Sequence, residues 1–187
     1  MSEPRAPDPA KLVVGVFLSD KQRFDAVFDR LVECFGPIDL LSRWFPFDCT
    51  RYYEREMGSP LFRRMMSFEN MIDPDTLSEI KWTTNGIECA YKERGRRIVN
   101  IDPGYLLRER FVLATGKNYA HRISIGKGIY ADLTLIYQRG DFQILPWTYP
   151  DYAQDNILQL LRKVRKKYVF DLDRLKRGNP LEGRSAE

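Results

Sequence analysis

The chain contains one histidine, His121, inside a stretch from Asn100 to Tyr152 (NIDPGYL, KNYAHRISIGKGIYADLTL, LPWTYPDY) crowded with carboxylates, bases, glycines and tyrosines. Imidazole is the only side chain whose unperturbed pKa lies near neutrality, so acid/base chemistry at pH 7 points first to His121. Lys117 and Lys127 are placed to hold negative charge. Lys127 stands in a glycine-flanked Gly126-Lys127-Gly128 loop, where backbone N–H groups and an ammonium suit a phosphate. Asp102 falls in IDPGY, which reads as a strand ending in a tight Asp-Pro-Gly turn, the kind of place where side chains emerge to orient a base or a ligand hydroxyl. Arg122, Tyr105, Trp147 and Tyr149 complete the ligand-binding candidates, three of them aromatics with polar tips that suit the wall of a cleft.

Each candidate has a plainer reading. His121 suits a core histidine bonded to a backbone carbonyl, and Arg122 with Asp132 suits a cross-strand ion pair. The Gly-Lys-Gly loop lacks the spacing and following helix of a nucleotide phosphate loop, so a simple hairpin turn accounts for it. LPWTYPDY suits a tract pinning the last strand to the last helix. Glu69, Glu88, Asp102 and Asp132 are oxygen ligands of the kind Mg²⁺ takes, but no D-x-D, H-x-x-x-H or H-x-E spacing supports a metal site, and none is assigned. No G-x-S-x-G or electropositive cysteine turn supports a nucleophile, and the sequence names no cofactor.

The elements that must position these residues follow from periodicity. KLVVGVFLS reads as a first strand, then Ser19 and Gln22 form a capping box for a helix with Phe24, Val27, Phe28, Leu31, Val32 and Phe35 on one stripe, stopped by Gly36-Pro37. Strands are expected at Asp39 to Phe47 and Leu61 to Ile72. Asp73-Pro74 opens a second helix in which Asn85-Gly86 marks a kink, a break or a place where the backbone must approach something closely, and Arg97 to Ile101 returns as a strand. This β-α-β-β-α-β order matches a ferredoxin-like first half. Phe111 to Thr115, His121 to Ile125, Ile129 to Tyr137 and Phe142 to Leu145 then extend it as an antiparallel β-meander. If the Gly-Lys-Gly loop closes a three-residue hairpin, Arg122 lies opposite Asp132 and His121 opposite Leu133. A last helix is expected from about Asp151 to Tyr168, its outer face carrying Arg162, Lys163, Arg165, Lys166 and Lys167. The fold class is α+β, one domain over residues 10–177, with disordered tails expected at 1–9 and 178–187.

With 43% hydrophobic residues over 187 positions, the chain can bury one sizeable core. The net charge of +4 excludes a polycation, and the basicity is local: Ile157 to Arg184 holds nine Lys/Arg against three Asp/Glu. Three scattered cysteines, Cys34, Cys49 and Cys89, indicate a reducing compartment. The apolar run Leu12 to Leu18 is too short to cross a bilayer and lacks the flanks of a signal peptide, so a cytoplasmic protein with no membrane partner is expected.

Taken together, FPFDCTRYYEREMGSPLFRRMMSFENMI, IKWTTNGIE, NIDPGYL, AHRISIGKGIYADLTLIY and LPWTYPDY resemble the segments of a bacterial family, domain of unknown function 4416, over roughly Ala10 to Arg174. The resemblance implies a bacterial cytosolic protein of about this size and carries over no activity, cofactor or catalytic residue. The residues themselves point to binding, with turnover as an extension, of a small anionic or phosphorylated ligand in a cleft around His121. Second comes a non-catalytic module whose basic C-terminal helix docks RNA or a protein.

Overall fold

The computed structural model describes residues 3–178. Strand β1 (Ala10–Leu18) is buried at every position, as its unbroken apolar run requires of a strand covered on both faces. It pairs antiparallel with β4 (Phe62–Ile72) on one side and β5 (Val99–Leu106) on the other. The sheet continues outward through β2 (Ile38–Leu41) at one end, and through β6 (Arg110–Thr115), β8 (Tyr130–Gln138) and β7 (Arg122–Ser124) at the other. Short β3 (Phe45–Pro46) joins β4, and β9 (Asp141–Ile144) joins β8, giving nine strands. The class is α+β, a large antiparallel sheet with helices.

The two-residue period of β1 divides the molecule into layers. Leu12, Val14, Val16 and Leu18 meet α1 (Phe24–Phe35) and α3 (Leu77–Ala90) through Phe24, Val27, Leu31, Ile80 and Ile87. Val13, on the opposite face, shares a core with Leu161, Val164, Tyr168 and Leu172 of α4 (Asp155–Gly178). A single turn of helix, α2 (Glu54–Met57), lies between β3 and β4.

Several boundaries differ from expectation for identifiable reasons. Helix α4 starts later, after turns through LPWTYPDY, and runs past Tyr168 because Tyr168 and Leu172 continue its buried stripe. The cap before α1 is Asp20, which accepts the Gln22 N–H at 3.0 Å, rather than Ser19. Helix α3 runs through Asn85-Gly86 unbroken. Nothing crowds Gly86, so its cost stays near the ~1 kcal/mol propensity difference, which burial of Leu77, Ile80 and Ile87 outweighs. The expected strand from Asp39 splits at Ser42, whose N–H donates to the Met65 carbonyl and whose hydroxyl accepts the Met65 N–H. In the second half the strand order departs from chain order. Strand β8 is long enough to pair with β6 along one edge and with β7 and β9, end to end, along the other.

The Gly126-Lys127-Gly128 hairpin has the expected register, Arg122 opposite Asp132, and all three loop residues hold positive φ. Of the expected tails, residues 1–2 and 179–187 lie outside the described residues. Asp8 is tied to α4 by an ion pair with Lys176, the Pro9 carbonyl accepts from Tyr168, and Gly178 closes α4.

Candidate functional site

The site exists because a proline ends a ladder. Asp102-Pro103-Gly104 is not a turn but lies inside β5, opposite Gly15, Val14 and Val13 of β1. Ile101 turns both backbone groups away from β1: its N–H donates to Glu88 Oε1 at 2.7 Å, and its carbonyl accepts from Lys81 Nζ at 2.8 Å. By the two-residue period, Pro103 faces β6 in the same way and has no N–H to offer. The β5–β6 pairing accordingly stops at Gly104 and Leu113. Gly104 permits this last close approach, since a Cβ there would sit 2.4 Å from the Val112 carbonyl oxygen. Beyond it the strands fork, and Lys81 and Glu88, two turns apart on α3, stand in for the missing strand at Ile101.

A cleft of about 780 Å³ occupies the fork. On its floor the Arg63 guanidinium is gripped by Asp102 (3.0 Å) and Asp151 and lies 4.8 Å over the rings of both Phe47 and Tyr152. Asn100 Nδ2 donates to the other oxygen of Asp102 at 2.8 Å, and Arg97 in turn donates to Asn100 at 2.8 Å and to Glu56 at 2.9 Å. On the far wall Arg122 donates to buried Asp132 at 2.9 Å and to the Tyr149 hydroxyl. Among the described residues Lys117 Nζ, beyond the end of β6, meets only Tyr52, donating to its hydroxyl at 3.3 Å and lying 4.5 Å from its ring centroid.

Burial governs the electrostatics. It lifts the Tyr53 phenol to about 12, with the Asp102 charge adding to it, and lifts Tyr149 above its ordinary value against the opposing pull of Arg122. These hydroxyls stay protonated at neutral pH, available as donors. Burial also raises the Glu88 carboxyl, more than Lys81 and the Ile101 N–H lower it. Cys49 borders the cleft, but burial and then the Asp48 charge raise its thiol pKa, the wrong direction for a nucleophile. Arg63 Nε, Arg97 Nε and the Tyr152 hydroxyl are buried without a hydrogen-bond partner among the described residues, all three on side chains of this cleft.

Of the residues singled out from sequence, Asp102, Lys117, Arg122 and Tyr149 line this one cleft. His121 does not. Its ring stacks on Trp147, centroids 5.1 Å apart, and its Nε2 lies 3.2 Å from Asp132 Oδ2, so it touches the cleft wall only through that carboxylate. Trp147 also donates its indole N–H to the Leu133 carbonyl, a pinning role. Lys127 stands apart on the hairpin tip, paired with Glu79 at 2.7 Å, and Tyr105 packs among core residues beside Val112. Among the described residues no three His, Cys, Asp or Glu side chains gather to hold a metal ion.

Sequence reasoning missed Arg63, Arg97 and Asn100 as site residues. Arg63 carried a legible signal: it interrupts the apolar alternation of β4 at an inward position, where an arginine needs a partner. Asn85 lines the cleft from the middle of α3, so the Asn-Gly pair marked a cleft-lining position rather than a break.

Among the described residues no helix is long and apolar enough to cross a membrane. Neither a curated protein nor a solved structure matches the chain. A family model does match, over residues 8–168, and the chain belongs to that family, the domain of unknown function 4416.

Proposed function

We propose that the protein binds a small anionic ligand, such as a phosphorylated metabolite, in the cleft between β5 and β6. The observation that carries this reading is an imbalance among the cleft's charges. Arg63, Lys81, Arg97 and Arg122 each lie within ion-pair reach of a carboxylate, whereas Lys117 has none among the described residues. Of the lining carboxylates, Asp102 is the most accessible, with 28% of its side chain exposed against 12% or less for Glu88, Asp132 and Asp151. A ligand's acidic group meets Lys117 and its hydroxyl meets Asp102, and the volume lies within the ordinary range for small-molecule sites. Turnover in this cleft would use Asp102 as proton acceptor. His121 then acts through Asp132, holding the carboxylate that holds Arg122. A bacterial cytoplasmic setting belongs to the same proposal, supported by the family resemblance and by three free cysteines.

The test is thermal unfolding against a panel of sugar phosphates, nucleotides, dicarboxylates and inorganic phosphate, because a ligand preferring the folded state raises the apparent Tm. At least one compound should stabilise the wild type and raise the Tm of Lys117→Ala markedly less at the same concentration. A panel without a hit, or hits that ignore Lys117→Ala and Asp102→Asn alike, rules the reading out.

A further inference from the structure

Helix α4 carries a second feature, independent of the cleft. Much of its basic face is committed within the molecule. Arg162 pairs with Asp141 at 2.7 Å, Arg165 donates to the Arg108 carbonyl and covers the Tyr137 ring, and Lys167 pairs with Asp171 at 2.9 Å. Lys163, Lys166, Arg174 and Arg177 are exposed and have no carboxylate in ion-pair reach among the described residues. With Phe170, itself 66% exposed, they follow one another at steps of three or four residues, the spacing of a single helical stripe. The stripe runs about 21 Å along the helix, two cations on each side of the ring. Phe170 thus offers an accessible aromatic face in the middle of a row of unpaired cations.

We infer that this stripe docks single-stranded nucleic acid, the four cations following the phosphate backbone and Phe170 stacking on a base. Charge complementarity calls for a polyanion. A membrane surface suits the stripe less well, since the apolar face that would enter lipid is turned into the core through Leu161, Val164, Tyr168 and Leu172. Duplex has no unstacked base to offer the ring.

The experiment is fluorescence anisotropy of a labelled oligothymidylate with the full chain across a salt series. Binding should weaken with salt at a log–log slope of about −3, as about four neutralised phosphates require. Charge reversal at Lys163, Lys166 and Arg174 should abolish it with the circular dichroism melt unchanged. Should that variant misfold, neutral glutamines at the same positions should flatten the slope. Phe170→Ala should weaken binding roughly tenfold and keep the slope. Lys117→Ala should leave it untouched, which separates this surface from the cleft. The inference is overturned by no binding at low salt, by binding indifferent to these changes, by equal affinity for duplex, or by binding to phosphatidylserine vesicles with none to the oligonucleotide.

Discussion

Two clusters of buried charge share one face of the sheet, about 20 Å apart along β1, and are finished in opposite ways. At one end Lys11 is fully buried, its ammonium meeting Asp39 at 2.9 Å, Asp171 at 3.3 Å and the Glu69 carbonyl at 3.2 Å, so that all three donors are used. Ser67 and Lys167 complete the carboxylates' partners, and α4 closes over the cluster. At the other end, past the start of α4, Arg63 sits between Asp102 and Asp151 with its Nε unpartnered, and the fork beside it stays open. Similar ions on one strand face are thus finished differently. Roofed by a helix and fully bonded, they fix the packing; left at a fork with bonding capacity to spare, they form the wall of the proposed ligand site.

Substitutions at the two ends should separate these purposes. Lys11→Met leaves Asp39 with only the Ser67 hydroxyl and the more distant Lys167 at a site where little water reaches, and should lower the free energy of urea unfolding by about 3 kcal/mol while leaving ligand affinity at the cleft unchanged. Arg63→Met should affect both properties, costing about 2 kcal/mol because Asp102 and Asp151 lose their shared partner, and removing the ligand-induced rise in Tm. Lys117→Ala should change stability by less than about 0.5 kcal/mol yet weaken ligand binding about tenfold, since its ammonium is offered to solvent and ligand rather than to the fold. An equal stability loss from Lys117→Ala and Lys11→Met, measured by urea titration, would erase the distinction.

The smallest effect is on pH dependence, where the two ends tilt in opposite directions. Burial pushes the Asp171 carboxyl up, but hydrogen bonds from Lys167 and Lys11 outweigh it and hold the pKa below the ordinary value. Its contribution to stability is therefore present above the unfolded-state pKa and lost as pH falls through the lowered one. Glu88, raised by burial, contributes stability below its unfolded-state pKa that is lost as pH rises through the raised one. In pH-dependent denaturation, Asp171→Asn should lessen the acid-side loss, and Glu88→Gln should lessen the decline on rising from acid toward neutral pH.

The sequence was most readable where geometry leaves little freedom. A three-residue glycine-flanked loop determines the register, so the Arg122–Asp132 pair could be assigned before any coordinates. It was least readable where one local pattern has two meanings. Asp-Pro-Gly is good turn chemistry, but here the proline ends a ladder inside a strand, which only the positions of β1 and β6 decide. His121 stood out as the lone imidazole, whereas the cleft is built of arginines and amides from segments far apart in the chain, and no local window holds Arg63, Asn100 and Asp151 together. Asp102 was identified for a turn that does not form, and it lines the cleft nonetheless.

The most direct test of the open end as a ligand site is backbone amide NMR of the full chain, titrated with inorganic phosphate and with any compound that raises its Tm. The account predicts saturable shifts concentrated at Asn100, Asp102, Thr115 to Lys117 and Arg122, with Lys11, Asp39 and Asp171 unmoved. Saturable shifts centred on the Lys11 end, or no saturable shift around the fork, would contradict it.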